Sequence, residues 1–347
     1  MTSHPILEVE DVRTEFATPR GLVRAVDGVS LTLRPGETLG IVGESGSGKS
    51  VLGRTIMGLI TNGPTTTVSG IVRLAGQDVH AISPSQRRKL WGPKVAMVFQ
   101  DPMTSLNPVK KVGVHITEAL RLHLGVGKAE ARERAVDLLK KVGIPEPARR
   151  MNQYPHELSG GMRQRVVIAM ALSCDPELLI ADEPTTALDV TVQKQILDLL
   201  ASLSTTMNMA TILISHDLGA VEGRTDRVQV MYAGRVVETA HTGTVFAAPT
   251  HPYAEALLAS IPRLQDAPHT LLRAINGTPP DMANPPSGCR FAPRCVYATD
   301  RCRTETPLLE DRGTSQEPHL AACHYPLSAP GAASPDPAPA GLVKEIN

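Results

Sequence analysis

Aromatic side chains are scarce in this chain. At 3% of 347 residues they leave the core to aliphatic ones, which the 41% hydrophobic share supplies. Neither sign of charge prevails, since Lys plus Arg and Asp plus Glu each number 35. Net charge therefore argues against nucleic acid or another polyanion as partner, a local patch aside. Long hydrophobic runs are missing too: the longest suggestive one, Val166 to Cys174, stops at Asp175, well short of the roughly 18 residues a transmembrane helix needs. Met1 to Glu8 carries no basic stretch leading into an apolar one, so no secretory signal is expected. No internal repeat is present. These absences favour a cytosolic chain whose membrane association comes through a partner. Cysteine is rare except in one place: four of five lie between Cys289 and Cys323, and in a reducing compartment disulfides are not expected among them.

What is present centres on Gly43-Glu44-Ser45-Gly46-Ser47-Gly48-Lys49-Ser50. The stretch fits G-x-x-x-x-G-K-[ST] and follows Thr38 to Val42, an apolar run that reads as a buried strand. Glycines at 43, 46 and 48 let consecutive N–H groups turn inward around an anion, and a helix starting near Lys49 aims its positive end at the same point. Lys49 supplies a charge for β/γ-phosphates, and the Ser50 hydroxyl is a hard ligand suited to Mg²⁺.

The length admits roughly two or three structural units. Residues 6–12 and Val29 to Leu33 alternate as half-buried antiparallel strands, with Phe16 and the Pro19-Arg20-Gly21 turn between them. Further strands are expected at Ser69–Leu74, Val95–Phe99, Leu178–Ala181 and Ala210–Ile214, and two short ones around Ala233-Gly234. Helical spacing at 114–123 and 128–142, after prolines 102 and 108, predicts a helical insert over about 101–165. Buried strands alternating with helices imply an α/β fold with a mainly parallel sheet. The expected division is residues 1–240, a Pro-rich, Cys-containing appendage over 241–327, and a disordered Ala/Pro/Gly/Ser-rich tail over 328–347.

Polar groups close the buried strands: Gln100, Asp182-Glu183 and His216. Strand carboxyl ends form the ligand crevice of open α/β sheets, so these side chains are expected to meet the phosphate loop. Asp182 suits Mg²⁺, Glu183 a water in line with a γ-phosphate, Gln100 the metal or that water, and His216 the γ-phosphate. Ser159 with Gly160 and Gly161, at the start of a helix running through Gln164, offers a second anion-binding surface, or a plain N-cap. Two such surfaces far apart in one chain suggest a head-to-tail dimer with ATP at the seam.

With these motifs in order over roughly residues 6–240, the chain resembles an ATP-binding cassette ATPase. The loop, with Val51 behind it, resembles Walker A; Gln100 the Q-loop; Leu158 to Gln164 the signature; Leu178 to Glu183 Walker B; Thr186-Ala187-Leu188-Asp189 the D-loop; and His216 the switch histidine. Phe16 matches the aromatic that stacks on adenine. The resemblance implies a P-loop ATPase core with an antiparallel β subdomain and a helical subdomain. It makes Gly43, Ser45, Gly46, Gly48, Lys49, Ser50 and Val51 ATP contacts, Ser50, Gln100 and Asp182 the Mg²⁺ group, and Glu183 the base, with Gln100 and His216 beside it. Ser159, Gly160, Gly161 and Gln164 would serve the partner's ATP, and Asp189 would be the D-loop aspartate. Gly223-Arg224 interrupts a helix the family usually continues.

His251 to Leu258, Ser260-Ile261-Pro262, Gly277 to Pro280 and Gly288 to Cys295 resemble the ATPase subunits of oligopeptide and dipeptide importers, with nickel importers as relatives. This implies a second, non-identical ATPase, two transmembrane permease subunits and an extracytoplasmic peptide-binding protein, and a place at the cytoplasmic face of the membrane. Cys289, Cys295, Cys302 and Cys323, spaced C-x₅-C-x₆-C-x₂₀-C, suit an iron–sulfur cluster or tetrahedral zinc by their chemistry, and match the usual spacing of neither. The resemblance points to [4Fe–4S]; zinc, with His324 as a rival ligand, and free thiols or a disulfide are the alternatives. Cys174 reads as a small buried side chain. A non-transport ABC ATPase is disfavoured by the single cassette and the lack of a basic run, an exporter by the appendage.

Overall fold

The computed structural model describes residues 4–101, 105–186, 188–261, 275–312 and 318–327. Pro102 of the expected loop, Ala187 of the D-loop stretch, Pro262 and the 328–347 tail lie outside the described residues. Alternating side chains build an antiparallel layer of β1 (Leu7–Thr18), β2 (Gly21–Leu33), β4 (Thr66–Leu74) and β5 (Gln77–Asp78), in the order β2-β1-β4-β5. β1 and β2 run on to the turn at Pro19-Arg20, so Phe16 sits within β1 opposite Val23, not between two short strands as the alternation predicted. The pattern breaks at Asp11, where the register shifts and the backbone turns left-handed (φ 44°), its N–H held by Ser30 Oγ at 2.9 Å.

The second layer contains β3 (Thr38–Val42), β6 (Val95–Val98), β7 (Leu178–Asp182), β8 (Ala210–Ser215), β9 (Arg227–Tyr232), β10 (Arg235–His241), β11 (Glu310–Asp311) and β12 (Leu320–Ala321). Their order is β11-β12-β10-β9-β3-β8-β7-β6, parallel from β9 to β6 and antiparallel at the other edge. The parallel strands are mostly apolar and almost wholly buried because helices and the first layer cover both faces. α1 (Lys49–Ile56) follows β3 and tucks Leu52 and Ile56 between the layers. α2 (Pro84–Leu90) was not foreseen, although its start is written locally: Ser83 and Gln86 cap each other's backbone N–H and Pro84 opens the helix. The insert holds α3 (Val112–Leu124), α4 (Lys128–Lys141) and α5 (Pro147–Arg150), and leads into α6 (Gly160–Ala171). α7 (Val190–Met207) precedes β8. Beyond β8 the interrupted helix is reduced to a 3₁₀ turn at Leu218–Ala220, with Gly223 left-handed at φ 67° and Arg224 fastened to Asp198 at 2.8 Å.

The C-terminal segment, expected as a separate appendage, is bound into this body. β12 pairs with β10, but two-residue strands contribute little. Packing does more: Tyr232 of β9, Tyr253 of α9 (Pro252–Ala259), which follows α8 (Thr242–Ala247), and Phe291 form a cluster with ring centroids 4.6–5.3 Å apart. Each such pair adds about 0.5–1.5 kcal/mol beyond burial, so the scarce aromatics are concentrated where the segment docks. Buried Glu238 of β10 accepts the N–H groups of Thr250 and His251 (2.9 and 2.7 Å) and faces His319 Nε2 at 2.7 Å.

One ion group ties three parts of the chain. Asp27 of β2, with its side chain 2% exposed, accepts from Arg13 of β1, from Arg235 of β10 (Nε, 2.9 Å) and from Arg290 of the C-terminal segment (2.5 Å). Burial alone would raise the Asp27 carboxyl, yet the coulombic pull of Arg235, Arg290 and Arg13 holds it below its ordinary 3.8. Its contribution is therefore present above that value and lost as pH falls through the lower folded pKa. Asp27→Ala leaves buried Arg290 without its counter-ion and is expected to cost about 3 kcal/mol, read as a lower urea midpoint at pH 7. An unchanged midpoint would refute the role given to this group.

Candidate nucleotide site

The loop Gly43–Ser50 joins β3 to α1 and has no room for a side chain at Gly43 or Gly48. A Cβ at Gly43 (φ 151°) would stand 2.1 Å from the Met231 carbonyl oxygen, and one at Gly48 (φ 99°) 2.1 Å from that of Ala25. Both obstacles are backbone, so the loop is wedged between β2 and the β9–β10 turn, whose Gly234 N–H donates to the Ser47 carbonyl at 2.9 Å. Lys49 is buried, and its Nζ donates to the carbonyls of Gly43 (2.7 Å) and Glu44 (2.9 Å). Burial lowers its pKa against the opposing pull of Glu183, Asp182 and Glu44.

The strand ends meet this loop. Ser50 Oγ donates to Asp182 Oδ1 at 2.7 Å, while Asp182 Oδ2 is buried with no hydrogen-bond partner among the described residues. Burial raises the Asp182 pKa. The next residue is held the opposite way. Glu183 Oε2 accepts from Gln100 Nε2 (3.0 Å) and Thr186 Oγ1 (3.1 Å) and lies 3.1 Å from His216 Nδ1; Oε1 carries none of these contacts. The hydrogen bond from His216 leads in lowering the Glu183 pKa, and the same bond raises that of His216. Glu183 also has a left-handed backbone (φ 46°), a conformation that costs a non-glycine residue about 1–3 kcal/mol; its N–H is fixed to the Ile214 carbonyl at 3.0 Å. A cavity of about 270 Å³ runs from Val23 and Ala25 over Ser45, Gly46, Gly48, Lys49, Ser50 and Val51 to Gln100 and Glu183. Phe16 is half-buried beside Val23 and is not among the lining residues.

Several contributors were not foreseen, Val23 and Ala25 of β2 among them. Thr186 stands three residues after Glu183, a spacing that brings its hydroxyl back to the carboxylate. Met282 lines the same cavity from the C-terminal segment, and nothing local in the sequence signals it.

Ser159, Gly160 and Gly161 begin α6 away from this cavity. Ser159 Oγ caps the helix by accepting the Met162 N–H at 3.3 Å. Gly161 has a packing reason as well, since a Cβ there would stand 2.7 Å from Val192 Cγ1 of α7. Gln164 departs from the expected grouping. It is 1% exposed and so cannot face a partner's ATP from this conformation, whereas Ser159 is exposed. Asp189 is exposed and caps α7, its Oδ1 accepting the Val192 N–H at 2.9 Å.

Cys289, Cys295, Cys302 and Cys323 all line one small cavity, with His324 at its wall. Among the described residues no group of three or more His, Cys, Asp or Glu side chains is arranged to hold a metal ion, so the expected ligand set is not drawn together. Burial, with the neighbouring thiols adding to it, pushes Cys295 up to about 11 and Cys323 up to about 12. Cys174 is buried against α3, as expected of a small core side chain. No helix among the described residues is long and apolar enough to cross a membrane.

Comparison with known proteins bears on the family and the fold. A family model described as ABC transporter matches residues 26–186, and one described as Oligopeptide/dipeptide transporter, C-terminal region, matches residues 237–302. The chain is 50% identical over 327 residues to the dipeptide transport ATP-binding protein DppD of Escherichia coli, covering 94% of this chain and 98% of that one. It is 53% identical over 293 residues to the oligopeptide transport ATP-binding protein OppD of Bacillus subtilis, covering 84% and 82%. The dimeric structure of a post-hydrolysis state of the ATP-binding cassette MJ0796, bound to ADP and Pi, superposes with a TM-score of 0.61 at 27% identity, over 68% of this chain and 98% of that one.

The Glu183–His216 contact yields a titration. His216 has its pKa raised by its partner, so the pair's contribution is fully present below the ordinary value of 6.5 and is lost as pH rises through the folded pKa above it. NMR titration of His216 is expected to give a midpoint above 6.5 in the wild type and a lower one in Glu183→Gln. Identical midpoints would refute the pairing.

Proposed function

The chain belongs to the ABC transporter ATP-binding subunits of the oligopeptide/dipeptide importer family, and on that premise we propose how its residues divide the work of hydrolysis. It is an ATPase that powers a peptide importer, with hydrolysis coupled to transport. Such a subunit works as a dimer and with transmembrane permease partners.

The observation that carries the assignment of roles is the convergence of Gln100, Thr186 and His216 on one oxygen of Glu183, at the cavity bordered by the phosphate loop. Glu183 is kept ionised by its contacts, and its other oxygen accepts a hydrogen bond from the water that attacks the γ-phosphate. The loop N–H groups and Lys49 bind the phosphates, Lys49 leaving the carbonyls of Gly43 and Glu44 to do so. Phe16 stacks on adenine from the end of β1. Ser50 and Asp182 would hold Mg²⁺: a buried carboxylate oxygen without a partner among the described residues, beside a hydroxyl, is a donor set that fits a hard cation. The ion, when bound, neutralises charge on the β- and γ-oxygens. Gln100 senses the ion or the water, and His216 the γ-phosphate. Ser159, Gly160 and Gly161, with Asp189 beside them, complete the ATP site of a facing subunit, and buried Gln164 serves them only by supporting α6. ATP closes the pair and hydrolysis reopens it.

The finer assembly is also proposed: a non-identical second ATPase, two permease subunits, a peptide-binding protein beyond them, and a peripheral position on the cytoplasmic face. Residues 1–240 act as the cassette, with 101–165 as the insert that passes the motion to the permease, and 241–327 as an appendage in its service. For the cysteines we propose a [4Fe–4S] cluster held by Cys289, Cys295, Cys302 and Cys323, with structural cross-linking as its contribution. Support comes from their shared cavity. A cluster gives each thiolate its own iron and so accepts wider sulfur separations than zinc, which needs four sulfurs about 2.3 Å from one ion.

Glu183→Gln is expected to lower phosphate release about 100-fold or more while keeping ATP binding, measured with a fluorescent nucleotide. Turnover equal to the wild type would remove Glu183 from this role. After anaerobic purification, iron and acid-labile sulfide are expected near four of each per chain, about the cluster's stoichiometry. Zinc without iron would overturn the cluster.

A further inference from the structure

The phosphate loop contains a carboxylate, Glu44, that none of the roles above uses. Its backbone N–H donates to the hydroxyl of Tyr253 at 2.8 Å, and Tyr253 is fully buried. Its carboxylate meets Arg294 in a two-pronged pair, Nη1 to Oε2 at 2.5 Å and Nη2 to Oε1 at 2.9 Å. Arg294 is itself immobilised: its side chain is 4% exposed, Nε donates to the Asn276 carbonyl at 2.8 Å, Nη2 to that of Ile275 at 3.2 Å, and Nη1 reaches the Tyr232 hydroxyl at 3.3 Å. Both braces come from the C-terminal segment, over 200 residues from the loop they hold.

From this geometry we propose that Arg294 is a positioning residue of the ATP site, acting through Glu44. The inference rests on the reading that Gly43–Ser50 binds the phosphates of ATP. A loop with glycines at 43, 46 and 48 has many conformations to lose when it closes on an anion. A bidentate guanidinium–carboxylate pair fixes direction as well as distance, so it removes that freedom before the nucleotide arrives. The Glu44 carbonyl is also one of the two on which Lys49 rests, at 2.9 Å, which links the brace to the lysine of the loop. Arg294 is presented by the tight turn between Cys289 and Cys295, where its N–H donates to the Phe291 carbonyl at 2.9 Å. The phosphate loop is thus braced within one chain by the segment that follows the cassette.

The test uses the full-length protein and compares Arg294→Met, Arg294→Lys, Glu44→Gln and the Glu44→Gln/Arg294→Met double variant. ATP hydrolysis gives kcat and KM, a fluorescent ATP analogue gives Kd, and thermal melting follows the fold. Arg294→Met is expected to raise KM and Kd about tenfold with a smaller change in kcat, because an ordering step before binding is lost. Arg294→Lys should recover part of the affinity, and the double variant should be no weaker than the weaker single one. Unchanged KM and Kd in folded Arg294→Met would overturn the proposal, as would fully additive losses in the double variant. If Arg294→Met does not fold, Glu44→Gln tests the same pair from its more exposed side, and wild-type Kd in that variant would equally overturn it. A wild type that hydrolyses no ATP would instead remove the functional reading, and the proposal with it.

Discussion

Two backbone carbonyls set the terms for this molecule. The oxygens of Ala25 and Met231 come so close to Gly48 and Gly43 that the phosphate loop has no room for a side chain at either end. Ala25 belongs to the antiparallel layer and Met231 to the parallel one, so the loop is the joint between the two sheets. A displacement of either layer would reach the loop directly. Strands of only two residues at the far edge can be tolerated because the wedge, the Asp27 ion group and the aromatic cluster hold the layers together.

The site exploits this rigidity by giving two adjacent carboxyls opposite surroundings. Asp182 ends a strand buried on both faces and meets a single hydroxyl, so desolvation raises its pKa. Glu183, one residue on, leaves the strand through a left-handed backbone and collects hydrogen bonds from three elements, so its pKa is lowered. Neighbouring acids pushed apart in this way are suited to different tasks, one to a cation and one to a water. The left-handed backbone at Glu183 takes it off the strand's alternation, in which an extended residue would place its side chain on the face opposite that of Asp182.

Much of this was legible in the sequence because its signals are local. The phosphate loop, the buried strands, Asp182-Glu183 and the capped helix at Ser159 each declare themselves within a few residues. Phe16 was expected between two strands and lies within β1, because the strand continues past an irregularity at Asp11 that alternation cannot cross. Gln164 belongs to a recognisable run, yet helical geometry turns it inward. The docking of the C-terminal segment was hidden for a stronger reason. Arg290, Arg294 and Tyr253 find their partners through long-range packing, and no spacing rule connects residue 294 with residue 44.

That long-range packing changes what an appendage means here. A tethered module would contact the cassette through exposed polar residues, and its loss would leave the cassette's own charges solvated. In this chain the contact surface is made of nearly all-buried partners: Tyr253, Phe291, Arg290 and Arg294. Removing the segment would strand Asp27 with two half-exposed arginines and uncover the apolar face of β9. The turn from Cys289 to Cys295 supplies both Arg290, which reaches the antiparallel layer, and Arg294, which reaches the phosphate loop. That turn therefore touches the antiparallel layer and the phosphate loop at once.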